Sequence, residues 1–227
     1  MNQVNQVVKL HMRNKMASWA IPWIIIGANF LINFLIAMSL DKGESINTGA
    51  IVSIFIYTLV AGTVTIKETF PFALGLSIRR KDYFFGTAVT AIIVNVSSAL
   101  GLVILSVIEE ATNGWGVRLH LFKIQFLNDL SLIGTLGIYL IVLLHMYFLG
   151  FAISSLHRRF GGASMYIFFT SLLLIGTVGS YIFTHFGLWG GLLDWFIHSY
   201  MDIFWWMVPL VVVYLVAAYG LLRRATA

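Results

Sequence analysis

Four polar side chains interrupt apolar stretches of this chain and are the first candidates for chemistry: Asn29, Asn33, Asn95 and His145. Polar and ionisable groups inside apolar segments are costly in lipid and often mark a path for protons, ions or solutes. A histidine such as His145 could relay protons, but the same groups also form hydrogen bonds between packed helices. We therefore take these four residues as candidate polar members of a translocation path, with helix packing as the alternative.

Motifs for enzymatic chemistry are missing from the sequence. None of the six lysines follows a glycine, so there is no P-loop, and there is neither an HExxH zinc motif nor a cysteine. His198 and Asp202, together with Asp194, could attract a metal, but a solvated surface explains them equally well, and we predict no metal site. The chain is therefore not expected to be an enzyme or to hydrolyse ATP by itself.

The composition defines the fold class. Of the 227 residues, 59% are hydrophobic and 10% are charged, whereas soluble domains carry about 25% charged residues. The apolar runs are too long for the strands of a membrane barrel, and about 20 residues suffice for a helix to cross a bilayer. The sequence predicts an all-α integral membrane protein, a single transmembrane domain over 1–227, with spans at 18–40, 48–66, 85–108, 131–154, 164–186 and 202–222.

Basic residues predict the orientation of these spans. Eleven of the fourteen lysines and arginines fall in one set of loops and termini, and seven of the nine acidic residues fall in the other set. Because lysine and arginine collect on the cytoplasmic side, both termini are predicted to be cytoplasmic. The net charge of +5 is spread over short segments beside the membrane, so it does not indicate binding to nucleic acid.

Three segments outside the spans have their own predicted structure. Residues 1–17 place apolar residues against polar and basic ones in a weakly amphipathic helical pattern, which favours an interfacial helix at the cytoplasmic membrane surface. Residues 109–130 and 187–201 are external segments, and the second is predicted to form a pair of short interfacial or re-entrant helices.

The segment KETFPFALGLSIRRKDYFFGT, residues 67–87, joins the second and third spans on the predicted cytoplasmic side. Phe70 and Phe72 would be costly in water, so we expect them to lie in the headgroup layer or to enter a pocket on a partner protein. Arg79, Arg80 and Lys81 follow and suit an anionic membrane surface.

This segment resembles the loop of ABC-2-type transporter permeases, the transmembrane subunits of bacterial ABC exporters. In that family the loop carries a short coupling helix that docks on the ATPase subunit. The six-span plan, the amphipathic N-terminus and the external element before the last span are also similar to that family. The resemblance implies a cytoplasmic coupling loop over 67–84, with the ATPase contact at Glu68, Thr69, Phe70, Pro71, Phe72, Ala73 and Leu74. Arg79, Arg80 and Lys81, with Arg158 and Arg159 of the next cytoplasmic loop, would contact the inner membrane surface or the partner.

The resemblance also implies the partners. Two copies of a separate ATPase subunit, carrying ATP and Mg, would assemble with this chain and a second permease, identical or homologous, in a bacterial plasma membrane. No cofactor is expected in the chain itself, and membrane lipids surround it. The absence of fixed charge in the spans favours a hydrophobic or amphipathic cargo such as a peptide, an antibiotic or a lipid.

Two other functions remain open. The same loop could recruit a cytoplasmic partner to a membrane scaffold or sensor that transports nothing. Alternatively, His145 and the asparagines could serve an ion-coupled carrier.

Overall fold

Six long apolar helices dominate the computed structural model, which describes residues 3–40, 45–124 and 130–225. They are α2 (Ile21–Ser39), α3 (Val52–Gly75), α4 (Arg80–Ala111), α5 (Leu132–Phe160), α6 (Gly162–His185) and α8 (Tyr200–Arg223). Each is long and apolar enough to cross a bilayer. The chain is therefore a multi-pass, all-α membrane protein, which confirms this part of the prediction.

Three of these helices extend well beyond the predicted spans. α3 continues into the predicted coupling loop (67–84) as far as Gly75, α4 begins five residues earlier than predicted, at Arg80, and α5 continues to Phe160. A helix satisfies its own backbone hydrogen bonds, so it need not end where the apolar run ends, and Lys and Glu are good helix formers. Pro71 lies inside α3, although it removes one hydrogen bond. The connection between α3 and α4 is only residues 76–79.

The shorter helices lie at the ends of the bundle. α1 (Gln3–Arg13) is followed by a π-helical turn over Met16–Ala20 that leads into α2, and α7 (Trp189–His198) precedes α8. Val7 of α1 is fully buried and packs on Gly86 of α4, where a side chain would collide with it. A guanidinium nitrogen of Arg80 donates to the carbonyl of Arg223 at 3.0 Å. α1 and the end of α8 thus both contact the start of α4, and we call this end of the molecule the terminal end.

The bundle core is formed by α3, α4, α5 and α8, with α5 between α3 and α8. α3 and α5 approach closely at two glycines: a Cβ added to Gly62 would collide with the carbonyl of Tyr147, and one added to Gly150 would collide with the carbonyl of Leu59. Small residues allow such backbone contact between membrane helices. The position of α3 is therefore fixed against α5.

At the opposite end, two loops pair across the bundle. Residues Ile46–Asn47 (β1) and Leu119–His120 (β2) form a short parallel ladder in which Ile46 faces Leu119. We call this the loop end.

α6 differs from the other long helices because none of its residues is buried. It follows α5 directly, after Gly161 with φ of +76°, and it contacts the rest of the chain mainly through α5.

Candidate functional site: the α3–α4 corner and the adjoining groove

The corner between α3 and α4 is closed by a regular helix stop. The amide of Ile78 donates to the carbonyl of Ala73 at 3.1 Å, and the amide of Ser77 donates to that of Leu74 at 2.9 Å. This pair of bonds defines a Schellman motif, in which the residue after the cap takes a left-handed conformation. Ser77 occupies that position with φ of +58°, a conformation that usually favours glycine. The corner is thus a defined turn between two long helices.

Phe70 does not lie on the surface as the sequence suggested. Its side chain is 0% exposed, and its ring meets that of Tyr83 edge-on with centroids 5.1 Å apart. The guanidinium of Arg158, on α5, lies 5.7 Å from the centroid of the Phe70 ring. The Nε atom of Arg158 is buried and has no hydrogen-bond partner within the described part of the chain. Phe70 shares a helix face with buried Ile66 and Ala73 because residues three and four apart are neighbours. It is therefore a core residue that ties α3 to α4 and α5.

The other half of the α3 terminus is exposed. Phe72 and Leu76 are 55% and 57% exposed, lie four residues apart on one face, and share it with Glu68. Lys67, Pro71 and Gly75 form the adjacent exposed column. We call these six residues the corner face. Of the seven predicted contact residues, Glu68, Pro71 and Phe72 lie on it, whereas Phe70 and Ala73 are buried and Thr69 and Leu74 are half-buried.

The predicted basic residues surround this corner. Arg79 and Lys81 are exposed, and the Lys81 ammonium lies 5.9 Å from the centroid of Phe85. Arg80 is held by the Arg223 carbonyl, and Arg159 stacks on Phe160 at 4.7 Å. Arg79 and Lys81 thus remain accessible to an anionic surface beside the corner face.

The four polar residues within the spans do not form one site. Asn29 donates to the Ile25 carbonyl and to the Ser53 hydroxyl, and Asn33 donates to the Asn29 carbonyl at 2.8 Å. His145 packs edge-on against Tyr214 with centroids 5.3 Å apart, and its buried Nδ1 has no hydrogen-bond partner among the described residues. Of these four residues, only Asn95 lines a cavity that lies between α3 and α4.

That cavity is a groove of about 410 Å³ between α3 and α4, and residues of α1 and of the start of α2 also line it. Its polar lining includes His11, Thr58, Thr65, Glu68, Thr90 and Asn95. We call it the α3–α4 groove. Nε2 of His11 is 2.9 Å from the hydroxyl of Thr87, and burial lowers the pKa of His11 to about 4. His11 is therefore neutral at pH 7, and Glu68 is the one charged side chain among the described lining residues.

A fully buried carboxylate, Glu109, organises the loop end. Its oxygens accept backbone hydrogen bonds from Leu121, Phe122 and Lys123 at 2.8 to 3.1 Å, and Nδ1 of His120 lies 3.6 Å away. Three N–H donors on one carboxylate compensate for its removal from water. Glu109 was predicted only as the first residue of the external segment 109–130, and the one feature of the sequence that could have indicated its role is its position at the end of the apolar run of α4.

Comparisons of the chain with protein-family models, with curated proteins and with solved structures find no match. Within the described ranges, no three His, Asp or Glu side chains converge to hold a metal ion. The fold class, a multi-pass helical membrane protein, thus comes from the six apolar helices, and the function must be inferred from the corner face and the groove.

Proposed function

We propose that this chain is the permease subunit of an ABC transporter of the ABC-2 type, which exports a hydrophobic or amphipathic substrate. Separate ATPase subunits would dock within residues 67–84 and supply ATP and Mg. In this proposal both termini are cytoplasmic, α1 lies at the inner surface of a bacterial plasma membrane, and the chain pairs with a second permease.

The observation that carries the proposal is the corner face. Phe72 and Leu76 present two large apolar side chains on the end of a helix that is long and apolar enough to cross the membrane. Exposed apolar groups in a well-defined setting favour contact with a partner, and aromatic side chains commonly anchor such contacts. Arg79 and Lys81 beside them would attract acidic groups of the partner or of lipid headgroups. The ATPase contact therefore falls on Glu68, Pro71, Phe72 and Leu76 and not on the inward-facing Phe70 and Ala73.

The corner face is joined to the membrane by one continuous helix, which would allow movement to be transmitted. α3 is one helix from Val52 to Gly75, so its 24 residues extend over about 36 Å. Phe70 locks its terminal end to Tyr83 and Arg158, and Gly62 fixes its middle against α5. A force applied at Phe72 would move α3 as a body, together with the helices packed on it.

The experiment that tests the proposal is affinity purification of the full chain from its native membrane in mild detergent. We expect a protein with Walker motifs to co-purify in similar amount and to bring ATP hydrolysis with it. With the double variant Phe72→Ala, Leu76→Ala, most of the protein with Walker motifs should no longer co-purify. Phe160→Ala is the matched control, because Phe160 is an equally exposed aromatic residue (56%) at the end of a different helix.

Equal recovery of the ATPase with the double variant would contradict docking on the corner face. A co-purifying protein without ATP hydrolysis would favour the alternative hypothesis of a membrane scaffold, which uses the same docking surface but requires no ATPase. A chain that elutes alone would contradict both.

A further inference from the structure

The α3–α4 groove is long and narrow. Along α3 its lining runs from Ile54 to Thr69, sixteen residues, which span about 22 Å of helix. A volume of about 410 Å³ spread over that length makes a slot for one extended chain and not a chamber for a folded molecule. Its apolar walls include Ile54, Ala61, Val64 and Val94. The shape therefore suits a single aliphatic chain lying along α3.

The threonine hydroxyls of the walls have already used their hydrogens. The hydroxyls of Thr58, Thr65 and Thr90 donate to carbonyls one turn earlier at 2.7 to 2.8 Å. A hydroxyl has one hydrogen to donate but two lone pairs, so each of these oxygens can still accept. Asn95 donates one of its two amide hydrogens to the Ala91 carbonyl at 2.8 Å, and its Oδ1 is an acceptor. The threonine oxygens therefore make the walls rich in acceptors, which complement a ligand rich in N–H donors.

Two tyrosines extend this pattern near the terminal end. The Thr69 hydroxyl donates to the Thr65 carbonyl at 2.7 Å, so the Tyr83 hydroxyl, 2.8 Å away, must be the donor in their contact. The Tyr147 hydroxyl donates to the hydroxyl of Thr65 at 3.2 Å. Both tyrosine hydrogens are thus committed to threonine oxygens.

The charge of the groove also favours a ligand with N–H donors. Glu68 lies at the terminal end of the slot and is exposed, and the ion pairs found within the described residues, at Glu109 and Glu110, do not include it. His11 nearby is neutral at pH 7, so no described lining residue offsets the carboxylate. An ammonium group has three donors and no acceptor, and it would satisfy both the carboxylate and the acceptor-rich walls.

We propose that the α3–α4 groove binds a single-chain amphiphile with an ammonium head group, its chain along α3 and α4 and its ammonium at Glu68. Only the further step of regarding this ligand as the transporter's cargo rests on the proposed function. Binding itself requires neither an ATPase nor a second permease, so it can be tested on the chain alone.

The probe is a dodecylamine that carries a photoreactive diazirine on its alkyl chain, added to the full-length chain in nanodiscs of phosphatidylcholine. After illumination, mass spectrometry locates the labelled residues. We expect saturable labelling of residues 54–69 and 90–98, competed at least about tenfold better by dodecylamine than by dodecanol or dodecyl sulfate. Glu68→Gln should weaken labelling about tenfold, because it removes the charge and preserves the shape. Asp82→Asn removes a carboxylate that does not line the groove, and it should change nothing.

Labelling spread over the lipid-facing helices, competed equally by all three amphiphiles, would overturn the proposal. Labelling of Glu68→Gln with the same affinity for the probe as the wild type would also overturn it. Because no ATPase is present, failure here leaves docking on the corner face intact, and failure of ATPase co-purification leaves the binding result intact.

Discussion

The ring of Phe70 meets the ring of Tyr83 edge-on, with centroids 5.1 Å apart and planes at 69°, so the last turns of α3 are held to the first turn of α4. Aromatic pairs in this geometry contribute about 1 kcal/mol beyond the area that they bury. The two phenylalanines of this segment therefore differ in role: Phe70 packs in the core, whereas Phe72, two residues later, is exposed.

Phe70→Ala should therefore destabilise the protein by roughly 3 kcal/mol, because it leaves a cavity beside Tyr83. Phe72→Ala should change the stability by less than about 0.5 kcal/mol, because its side chain is exposed. Thermal unfolding in one detergent measures both. A similar loss in the two variants would contradict the assignment of Phe70 to the core.

Gly62→Ala should separate α3 from α5 and cost about 1 to 3 kcal/mol, since the new methyl group meets the backbone of Tyr147. Gly137→Ala is the matched control: it also lies inside a long helix, but no atom lies within 4 Å of its added Cβ. There the substitution should be neutral or stabilise by up to about 1 kcal/mol. Unfolding midpoints that fall equally in both variants would show that the close helix contact is absent.

Glu109→Gln should destabilise the protein by about 2 kcal/mol, because one amide cannot replace a carboxylate that accepts three backbone hydrogen bonds. Glu110→Gln, in contrast, removes a 62% exposed partner of Lys123 and should cost less than about 1 kcal/mol. Hydrogen exchange at residues 121–123 should accelerate only in Glu109→Gln. Unchanged exchange there would argue against Glu109 as the organiser of the loop.

Ser77→Gly should stabilise the corner by about 1 kcal/mol, because glycine adopts the left-handed conformation without steric cost. Ser77→Val should destabilise it, since β-branched residues are poorly suited to positive φ. Unfolding of the two variants beside the wild type tests this order. The reverse order would mean that Ser77 does not occupy a left-handed cap.

His11 should make the stability pH-dependent. Its pKa lies near 4 in the folded chain and near 6.5 in the unfolded chain, so the unfolded state binds a proton first as the pH falls. Its contribution is complete above about pH 6.5 and decreases towards pH 4, by up to roughly 3 kcal/mol. His11→Gln should flatten this part of the pH profile, as measured by unfolding at pH 7.5, 6 and 5. An identical profile in the variant would exclude His11 as its cause.

The spans could be predicted because hydropathy alone determines which segments can cross a bilayer. The end of α3 could not, because Lys67 and Glu68 end the apolar run while the helix continues. The inward direction of Phe70 could be predicted in part from the sequence, since Phe70 lies four residues after Ile66 and three before Ala73. The role of Glu109 could not be predicted, because its shortest hydrogen bonds come from backbone amides, which leave no mark in the sequence. The groove depends on how far apart α3 and α4 lie, and no local pattern encodes that distance.

α6 has no buried residue, although it is apolar over its whole length. Lipid is as apolar as its side chains, so the bilayer, and not the bundle, supplies most of the free energy that holds it. We therefore expect the packing of α3, α4, α5 and α8 to depend little on α6. An unfolding transition followed through tertiary contacts reports the packed bundle, and it leaves the helicity of α6 almost untouched.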